Sequence, residues 1–198
     1  MQRPGAVLFD LDGVLIDSYE LWFRLLNQTA LELGYPEISQ QLYREGWGQS
    51  TEVDRDRFFP GHSIAEVERF YQAHYFEHLE HLLVAAEVPE VFQRLHQERI
   101  ATAVVTNTQK SLASLVVDRT GAAPDLVVGG GDAPRGKPAP DSLFLACELL
   151  SVKPEEAWMV GDSVYDREAA RSAGIFFVGV RIDGGRRLES LSDLLGLF

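Results

Sequence analysis

The sequence is poor in cysteine, in basic residues and in long apolar stretches. Its single cysteine, Cys147, excludes an intrachain disulfide and favours a reducing compartment. The 18 lysines and arginines stand against 30 aspartates and glutamates, a net charge of -12. This balance argues against a nucleic-acid partner, because binding a phosphate backbone needs clustered cations. No apolar run approaches the roughly 18 residues of a membrane span, and no signal-peptide pattern opens the chain, so we expect a cytoplasmic protein without a membrane partner.

Short apolar runs alternate with amphipathic stretches of helical length along the 198-residue sequence. Five runs are typical of buried parallel strands, at residues 6–9, 101–105, 125–128, 157–160 and 175–180. Three stretches between them have the length and the end signals of helices, at residues 111–119, 140–150 and 164–173. The alternation predicts a doubly wound α/β sheet.

The first connection of this sheet is too long. About 90 residues separate the first two strands, where a crossover usually needs far fewer. A capping-box-like segment at 17–20 opens a helix that ends at Gly34, and Ser63 with Glu66 opens a second one that continues to Leu82. We therefore expect a small helical cap at residues 17–85, inserted into a core formed by residues 1–16 and 86–198.

Two acids follow the first predicted strand. Asp10 and Asp12 are two residues apart and are followed by Gly13. A carboxylate such as Asp10 can attack phosphorus to give an aspartyl phosphate, while a second acid protonates the leaving oxygen and later activates water. The alternative is a turn or a helix cap, since Asp and Gly favour turns.

Two further groups suit the binding of a phosphoryl group. Thr106 and Asn107 follow the second predicted strand, where a hydroxyl and backbone N–H groups can hold phosphoryl oxygens. Lys137, in a Gly-Lys-Pro loop, can neutralise charge on the nucleophile and the transferred group. The alternatives are a turn that closes the strand and a surface lysine.

Two more acids follow the fourth predicted strand. Asp162 and Asp166 supply hard oxygen atoms, which Mg²⁺ prefers. Asp162 would bind the metal directly, and Asp166, on the first helical turn, would hold a metal-bound water or Lys137. A helix cap with an acid in its first turn is the alternative. Because ligands bind at the carboxyl ends of strands in open α/β sheets, all four features are expected at one edge.

These features, in this order, resemble the four motifs of the haloacid dehalogenase superfamily, and the likeness extends over nearly the whole chain. The segments 10–18, 136–141 and 161–170 are especially similar to its phosphoglycolate-phosphatase and β-phosphoglucomutase branch. The resemblance implies a Rossmann-like core with strand one in the centre. It also implies an inserted α-helical cap of the C1 type, which agrees with the anomalous first connection.

The resemblance also implies a role for each matching residue. Asp10 would be the nucleophile and a Mg²⁺ ligand, and Asp12 would be the acid/base with its backbone carbonyl on the metal. Thr106 and Lys137 would bind the phosphoryl group, and Asp162 would complete the protein ligands of the metal. Mg²⁺ would offset the repulsion between Asp10 and an anionic substrate.

Substrate selection in this branch depends on a loop between the first cap helices. Here that loop lies near residues 44–50, in which Arg44, Trp47 and Gln49 are candidates for substrate contact. Arg55 and Arg57 are further candidates, with a solvated surface as the alternative. A zinc site formed by the histidines at 74, 78 and 81 is disfavoured, because no matched cysteine or second acid cluster accompanies them.

The expected activity is that of a Mg²⁺-dependent phosphatase acting on a small phosphorylated metabolite, such as phosphoglycolate or a sugar phosphate. A phosphomutase with the same core is the main alternative. A true haloacid dehalogenase is disfavoured, because that branch needs neither the second acid nor Mg²⁺. A catalytically silent metabolite-binding protein is also disfavoured, because binding alone does not require a nucleophile paired with an acid/base.

Overall fold

A computed structural model of the chain describes residues 3–197. Residues 1, 2 and 198 of the predicted core therefore lie outside the described residues. A parallel sheet of six strands forms its centre. Its strands are β1 (Ala6–Phe9), β4 (Ala101–Gln109), β5 (Leu126–Gly130), β6 (Ala157–Gly161), β7 (Phe176–Val180) and β8 (Arg186–Leu188). A separate antiparallel pair consists of β2 (Ile16–Asp17) and β3 (Leu83–Val84).

The strand order is β5-β4-β1-β6-β7-β8, with β1 paired in parallel to β4 on one side and to β6 on the other. The order reverses direction at β1, which is where ligands bind in doubly wound sheets. The predicted doubly wound parallel sheet is confirmed. The edge strand β8 was not predicted, because it is short and begins with two arginines.

Helices cover both faces of the sheet. On one face lie α5 (Val88–Gln97) and α6 (Lys110–Thr120), and on the other lie α7 (Asp141–Leu150) and α8 (Val164–Ala173). Successive side chains of β1 alternate between these two cores, as the period of a strand requires. All four residues of β1 are therefore buried and apolar, which explains why the strand has the form of a continuous apolar run.

The long first connection is helical, as expected. It contains α1 (Tyr19–Glu32), α2 (Gln40–Glu45), α3 (Thr51–Phe58), α4 (Ile64–His74) and a 3₁₀ segment (Tyr75–His81). The chain enters it through β2 and leaves it through β3, and these two segments pair with each other. The proposed limits of the cap at 17 and 85 stay a prediction.

Two expectations about the helical ends differ in outcome. The capping box at Ser63 and Glu66 is present, with each residue bonded to the other's backbone. The second helix, however, does not continue to Leu82. It ends at His74, and His78 has a non-helical backbone (φ -109°) in the 3₁₀ segment. Ring nitrogens of His74 and His78 both contact the side-chain amide of Gln28 in α1, so each histidine has a polar partner within the protein.

Within residues 3–197, no helix combines the length and the apolar character needed to cross a membrane. Cys147 is buried in α7 against the sheet, and burial raises the pKa of its thiol to about 11.

Candidate active site

The carboxyl ends of β1, β4 and β6 lie side by side and bring the predicted residues together. Asp10 directly follows β1, and its backbone N–H donates to the carbonyl of Val160 in β6 at 2.9 Å. Its carboxylate oxygen Oδ1 accepts from the N–H of Leu11 at 2.8 Å. Asp10 is thus held at the sheet edge by the strand pairing itself, and only 4% of the residue is exposed.

Lys137 lies at the centre of this edge and is 3% exposed. Its Nζ is 2.8 Å from Oδ1 of Asp10 and 2.5 Å from Oδ1 of Asp166, and it donates to the carbonyl of Val105 at 2.9 Å. All three ammonium protons therefore have a protein acceptor. Lys137 is not a surface lysine in a turn; it is a buried cation that joins two acids.

Asn107 fixes the loop that carries Lys137. Its side-chain oxygen accepts from the N–H of Lys137 at 2.8 Å. Its amide nitrogen donates to the carbonyls of Lys137 and Gly48, both at 2.9 Å. Both side-chain N–H groups are used, so a phosphoryl contact from Asn107 would have to come from its backbone N–H.

Thr106 and Asn107 lie in an irregular part of β4 and not after its end. The pairing of β4 with β5 shifts register between Val105 and Gln109. Such an irregularity re-aims side chains next to active sites. The Thr106 hydroxyl oxygen accepts from the N–H of Thr108 at 3.1 Å, which leaves its own proton for another acceptor.

Asp12 is held by three donors. Its Oδ1 accepts from the hydroxyl of Ser18 at 2.5 Å and from the indole N–H of Trp22 at 2.9 Å. Its Oδ2 accepts from the hydroxyl of Thr108 at 2.7 Å. The first two donors belong to the start of the inserted helices and the third to β4. Ser18 does not bond the first turn of α1, so the segment 17–20 is not the capping box that its sequence suggests.

An acidic cluster adjoins Lys137. Ligand atoms of Asp10, Asp162 and Asp166 all lie within 4.8 Å of one another. Asp162 Oδ2 accepts from the indole N–H of Trp47 at 2.9 Å, whereas its Oδ1 is buried without a hydrogen-bond partner. An orphaned buried carboxylate oxygen costs free energy unless a cation or donor satisfies it.

The electrostatics of this cluster follow from three acids around one cation. Burial, and then the neighbouring Asp166, raise the pKa of Asp10 well above its ordinary value, against the effect of Lys137. Burial, and then Asp166, raise the pKa of Asp162 to about 7. Burial alone would lower the pKa of Lys137, but Asp10 and Asp166 outweigh it and raise that pKa. The site has an excess of negative charge that a divalent cation would offset.

The acids differ in how many of their carboxylate oxygens are free to bind Mg²⁺. Asp10 and the orphaned oxygen of Asp162 can act as ligands, and hard carboxylate oxygens are what Mg²⁺ prefers. Both oxygens of Asp166 are engaged, one by Lys137 and one by Ser163. The carboxylate of Asp12 is directed to its three donors and does not belong to the cluster.

Gly13 is required by this geometry. Its φ is +78°, and a Cβ at this position would lie 1.9 Å from Oδ2 of Asp162. Any larger residue would therefore displace a candidate metal ligand as well as adopt an unfavourable backbone conformation.

A cavity opens between this edge and the inserted helices. From the sheet side it is lined by Asp10, Asp12 and Thr106, and from the insertion by Trp47, Gln49 and Asp54, among others. The structure thus brings Trp47 and Gln49 to the cavity. Arg44, Arg55 and Arg57 are not among its lining residues.

The family model for haloacid dehalogenase-like hydrolases matches residues 7–180, which spans all the strand-end motifs. The chain belongs to this family. The expected family membership, the α/β fold and the assignment as a family hydrolase are thereby confirmed.

Known family members resemble the chain over most of its length. It is 37% identical to the candidate pyrophosphatase PpaX of Caldanaerobacter subterraneus subsp. tengcongensis, covering 89% of this chain and 81% of that protein. It is 31% identical to the phosphoglycolate phosphatase of Chromobacterium violaceum, covering 91% and 86%. A crystal structure of a candidate β-phosphoglucomutase from Thermotoga maritima superposes with a TM-score of 0.70 at 26% identity, covering 98% and 99%.

Several residues of the site were not found from the sequence. Ser18, Trp22 and Thr108 bond Asp12, and Asp54 lines the cavity. Ser18 ends the segment 10–18 that resembles the family, but no role was assigned to it, and the other three lie outside the quoted motifs. Thr108 had a local signal, because it directly continues the polar pair Thr106-Asn107 after the second predicted strand. The others reach the site only through the packing of the inserted helices.

Proposed function

We propose that the chain is a Mg²⁺-dependent phosphatase that hydrolyses the phosphate monoester of a small metabolite through an aspartyl phosphate on Asp10. The observation that carries this proposal is the contact of Lys137 with both Asp10 and Asp166, beside the orphaned oxygen of Asp162. The buried Asp10 carboxylate lies next to the Lys137 cation and near an Asp162 oxygen that is free to bind a metal. This arrangement suits attack on an anionic phosphoryl group. The relatives named as phosphatases support the same class of reaction.

In the first step, a carboxylate oxygen of Asp10 forms a bond to phosphorus while the ester P–O bond breaks. Lys137 and the Leu11 N–H both contact Oδ1, which fixes the carboxylate and leaves Oδ2 for the attack. Asp12 gives its proton to the leaving alcohol oxygen. The Thr106 hydroxyl holds a transferred oxygen, and the positive charge of Lys137 beside Asp10 offsets the charge of the transferred group, since phosphoryl transfer depends on positioning and charge neutralisation.

In the second step, Asp12 accepts a proton from water, whose oxygen attacks phosphorus. The acyl phosphate bond breaks, and inorganic phosphate leaves with the Asp10 carboxylate restored. Asp10, Asp162 and the backbone carbonyl of Asp12 would hold Mg²⁺. When bound, the metal supplies positive charge that offsets the repulsion between substrate and nucleophile.

The decisive experiment measures phosphate release from para-nitrophenyl phosphate and from a panel of phosphorylated metabolites, with Mg²⁺ or with EDTA. We expect turnover with Mg²⁺ only, and its loss in Asp10→Asn with an unchanged circular dichroism spectrum. Asp118→Asn, an exposed acid on α6, serves as the matched control and retains activity. Wild-type turnover in Asp10→Asn would eliminate the mechanism.

A phosphomutase is the second candidate, because the chain superposes on a candidate β-phosphoglucomutase at 26% identity. A mutase returns the phosphoryl group from Asp10 to a second hydroxyl and does not release it to water. Isomerisation of a sugar phosphate without stoichiometric phosphate release would favour the mutase. Net phosphate release favours the phosphatase.

A further inference from the structure

The inserted helices contribute one acid to the cavity. Asp54 lies on α3 and is 7% exposed. Its Oδ1 accepts from the side-chain N–H of Gln49 at 2.5 Å, and its Oδ2 accepts from the hydroxyl of Tyr71 at 3.0 Å. A carboxylate offers about four acceptor positions, so two donors leave it with unused capacity toward the cavity that it lines.

Two aromatic side chains connect Asp54 with the reacting edge of the sheet. The Tyr71 ring packs edge-on against Trp22 with centroids 5.3 Å apart, and Trp22 donates its indole N–H to Asp12. Tyr43 also lines the cavity, but its hydroxyl donates to the backbone carbonyl of Tyr19. Asp54 and Gln49 thus supply polar groups on the wall of the cavity formed by the inserted helices, whereas Asp10 and Asp12 line it from the sheet. The alcohol part of a substrate bound at Asp10 would face this wall.

Positive charge is missing from this part of the cavity. None of its lining residues, all within residues 3–197, is lysine, arginine or histidine. Arg57, on the same helix as Asp54, donates to Gln49 Oε1 at 3.2 Å and lies 3.8 Å from the carboxylate of Glu45. Its guanidinium therefore lies behind the cavity wall at Gln49 and is shared with Glu45. A carboxylate or a second phosphate placed near Asp54 would meet like charge, and the neighbouring cation, Arg57, is not among the lining residues.

We propose that Asp54 selects the alcohol part of the substrate: it binds hydroxyl or ammonium donors and disfavours a leaving group that carries a carboxylate or a second phosphate. This inference rests on the proposed phosphatase function. It names sugar and amino-sugar phosphates as the substrate class, in place of phosphoglycolate or pyrophosphate. A substrate that offers donors gains hydrogen bonds to the free acceptor positions of Asp54, whereas an anionic leaving group gains none and meets like charge.

The test compares kcat/KM at pH 7.5 with Mg²⁺ for glucosamine 6-phosphate, glucose 6-phosphate and 2-phosphoglycolate. We expect the wild type to prefer the two sugar phosphates over 2-phosphoglycolate by about tenfold or more. Asp54→Asn should lose this preference, through a higher KM for glucosamine 6-phosphate and a lower KM for 2-phosphoglycolate. Asp56→Asn, an exposed acid on the same helix, is the matched control and should keep the wild-type order.

The outcomes separate the inference from the function on which it rests. If the wild type hydrolyses para-nitrophenyl phosphate but prefers 2-phosphoglycolate, the inference is wrong and the phosphatase stands. An equal loss on all substrates in Asp54→Asn would assign Asp54 a purely structural role and also overturn the inference. If the wild type hydrolyses none of the substrates, both proposals fall. The wild-type substrate order needs no variant, so it tests the proposed substrate class even if Asp54→Asn does not fold.

Discussion

The two walls of the cavity stabilise buried acids in opposite ways. On the sheet side, Asp10 and Asp166 are joined by the ammonium of Lys137, and a neighbouring acid retains an unpaired oxygen. On the side of the inserted helices, Asp54 is held by the neutral donors Gln49 and Tyr71. The first arrangement balances charge and suits a metal and a phosphoryl group. The second depends on hydrogen bonds from neutral groups more than on the nearby charge of Arg57, and suits an uncharged or cationic group.

The largest expected effect comes from removing the cation on which the first wall depends. Lys137→Ala leaves Asp10 and Asp166 buried without a counter-charge. We expect the free energy of unfolding to fall by about 3–5 kcal/mol. Turnover should fall by about 10³-fold, because an electrostatic contact to the transferred group is lost. Urea denaturation and para-nitrophenyl phosphate hydrolysis measure the two effects.

Lys153→Ala, at an exposed lysine, is the matched control for this change and should behave as the wild type. A Lys137→Ala protein with wild-type stability would show that the acids of the two walls are not held differently.

An intermediate effect is expected at Asp162, whose pKa is raised to about 7 by burial and by Asp166. Above that pH its folded carboxylate is charged without a partner for one oxygen. Asp162→Asn removes this charge and should stabilise the metal-free protein at pH 8 by about 2–3 kcal/mol. It should also abolish stabilisation by Mg²⁺, which wild type should show. Thermal melts with EDTA or with Mg²⁺ test both parts, and destabilisation in EDTA would contradict the first.

The smallest effect concerns the pH dependence of stability at Asp54. Burial raises its pKa to about 6, against the hydrogen bonds from Gln49 and Tyr71 and the charge of Arg57. Between the ordinary pKa and 6, the folded state holds a proton that the unfolded state has released. Wild-type stability is therefore lost as pH rises through this window, by about 2 kcal/mol, and is unaffected by Asp54 above it.

Asp54→Asn has no such titration, so its stability relative to wild type should improve from pH 4 to pH 7. Urea denaturation at both pH values measures this difference, with Asp56→Asn as a control that follows the wild type. Parallel pH profiles for wild type and Asp54→Asn would show that Asp54 is well hydrated, and the contrast between the walls would disappear.

The sheet-side wall was predictable because its residues follow short apolar strands. In a parallel sheet, the ends of such strands meet at one edge, so Asp10, Thr106, Lys137 and Asp162 could be placed together before their contacts were known. The hydrogen-bond donors of the Asp12 carboxylate were not predictable in this way, since they are Ser18, Trp22 and Thr108.

The other wall was not predictable to the same degree. Asp54 is one acid among several on a short polar helix, and its partners Gln49 and Tyr71 become neighbours only in the folded structure. Arg44 was a candidate for substrate contact because it lies in the loop near residues 44–50, and it is not among the lining residues of the cavity. Local sequence signals indicate which segments are helical, but not which of their polar residues face inward.

The paired segments β2 and β3 determine how the inserted helices are attached. Ile16 pairs with Val84 and Asp17 with Leu83, so the outgoing and returning chains run next to each other. The covalent connections of the helices to the core therefore meet at one place, next to the loop that carries Asp12. A single backbone cut in either connection would leave the helices covalently joined through the other and still hydrogen-bonded to the cut one. The inserted helices are thus attached by two covalent connections that lie side by side.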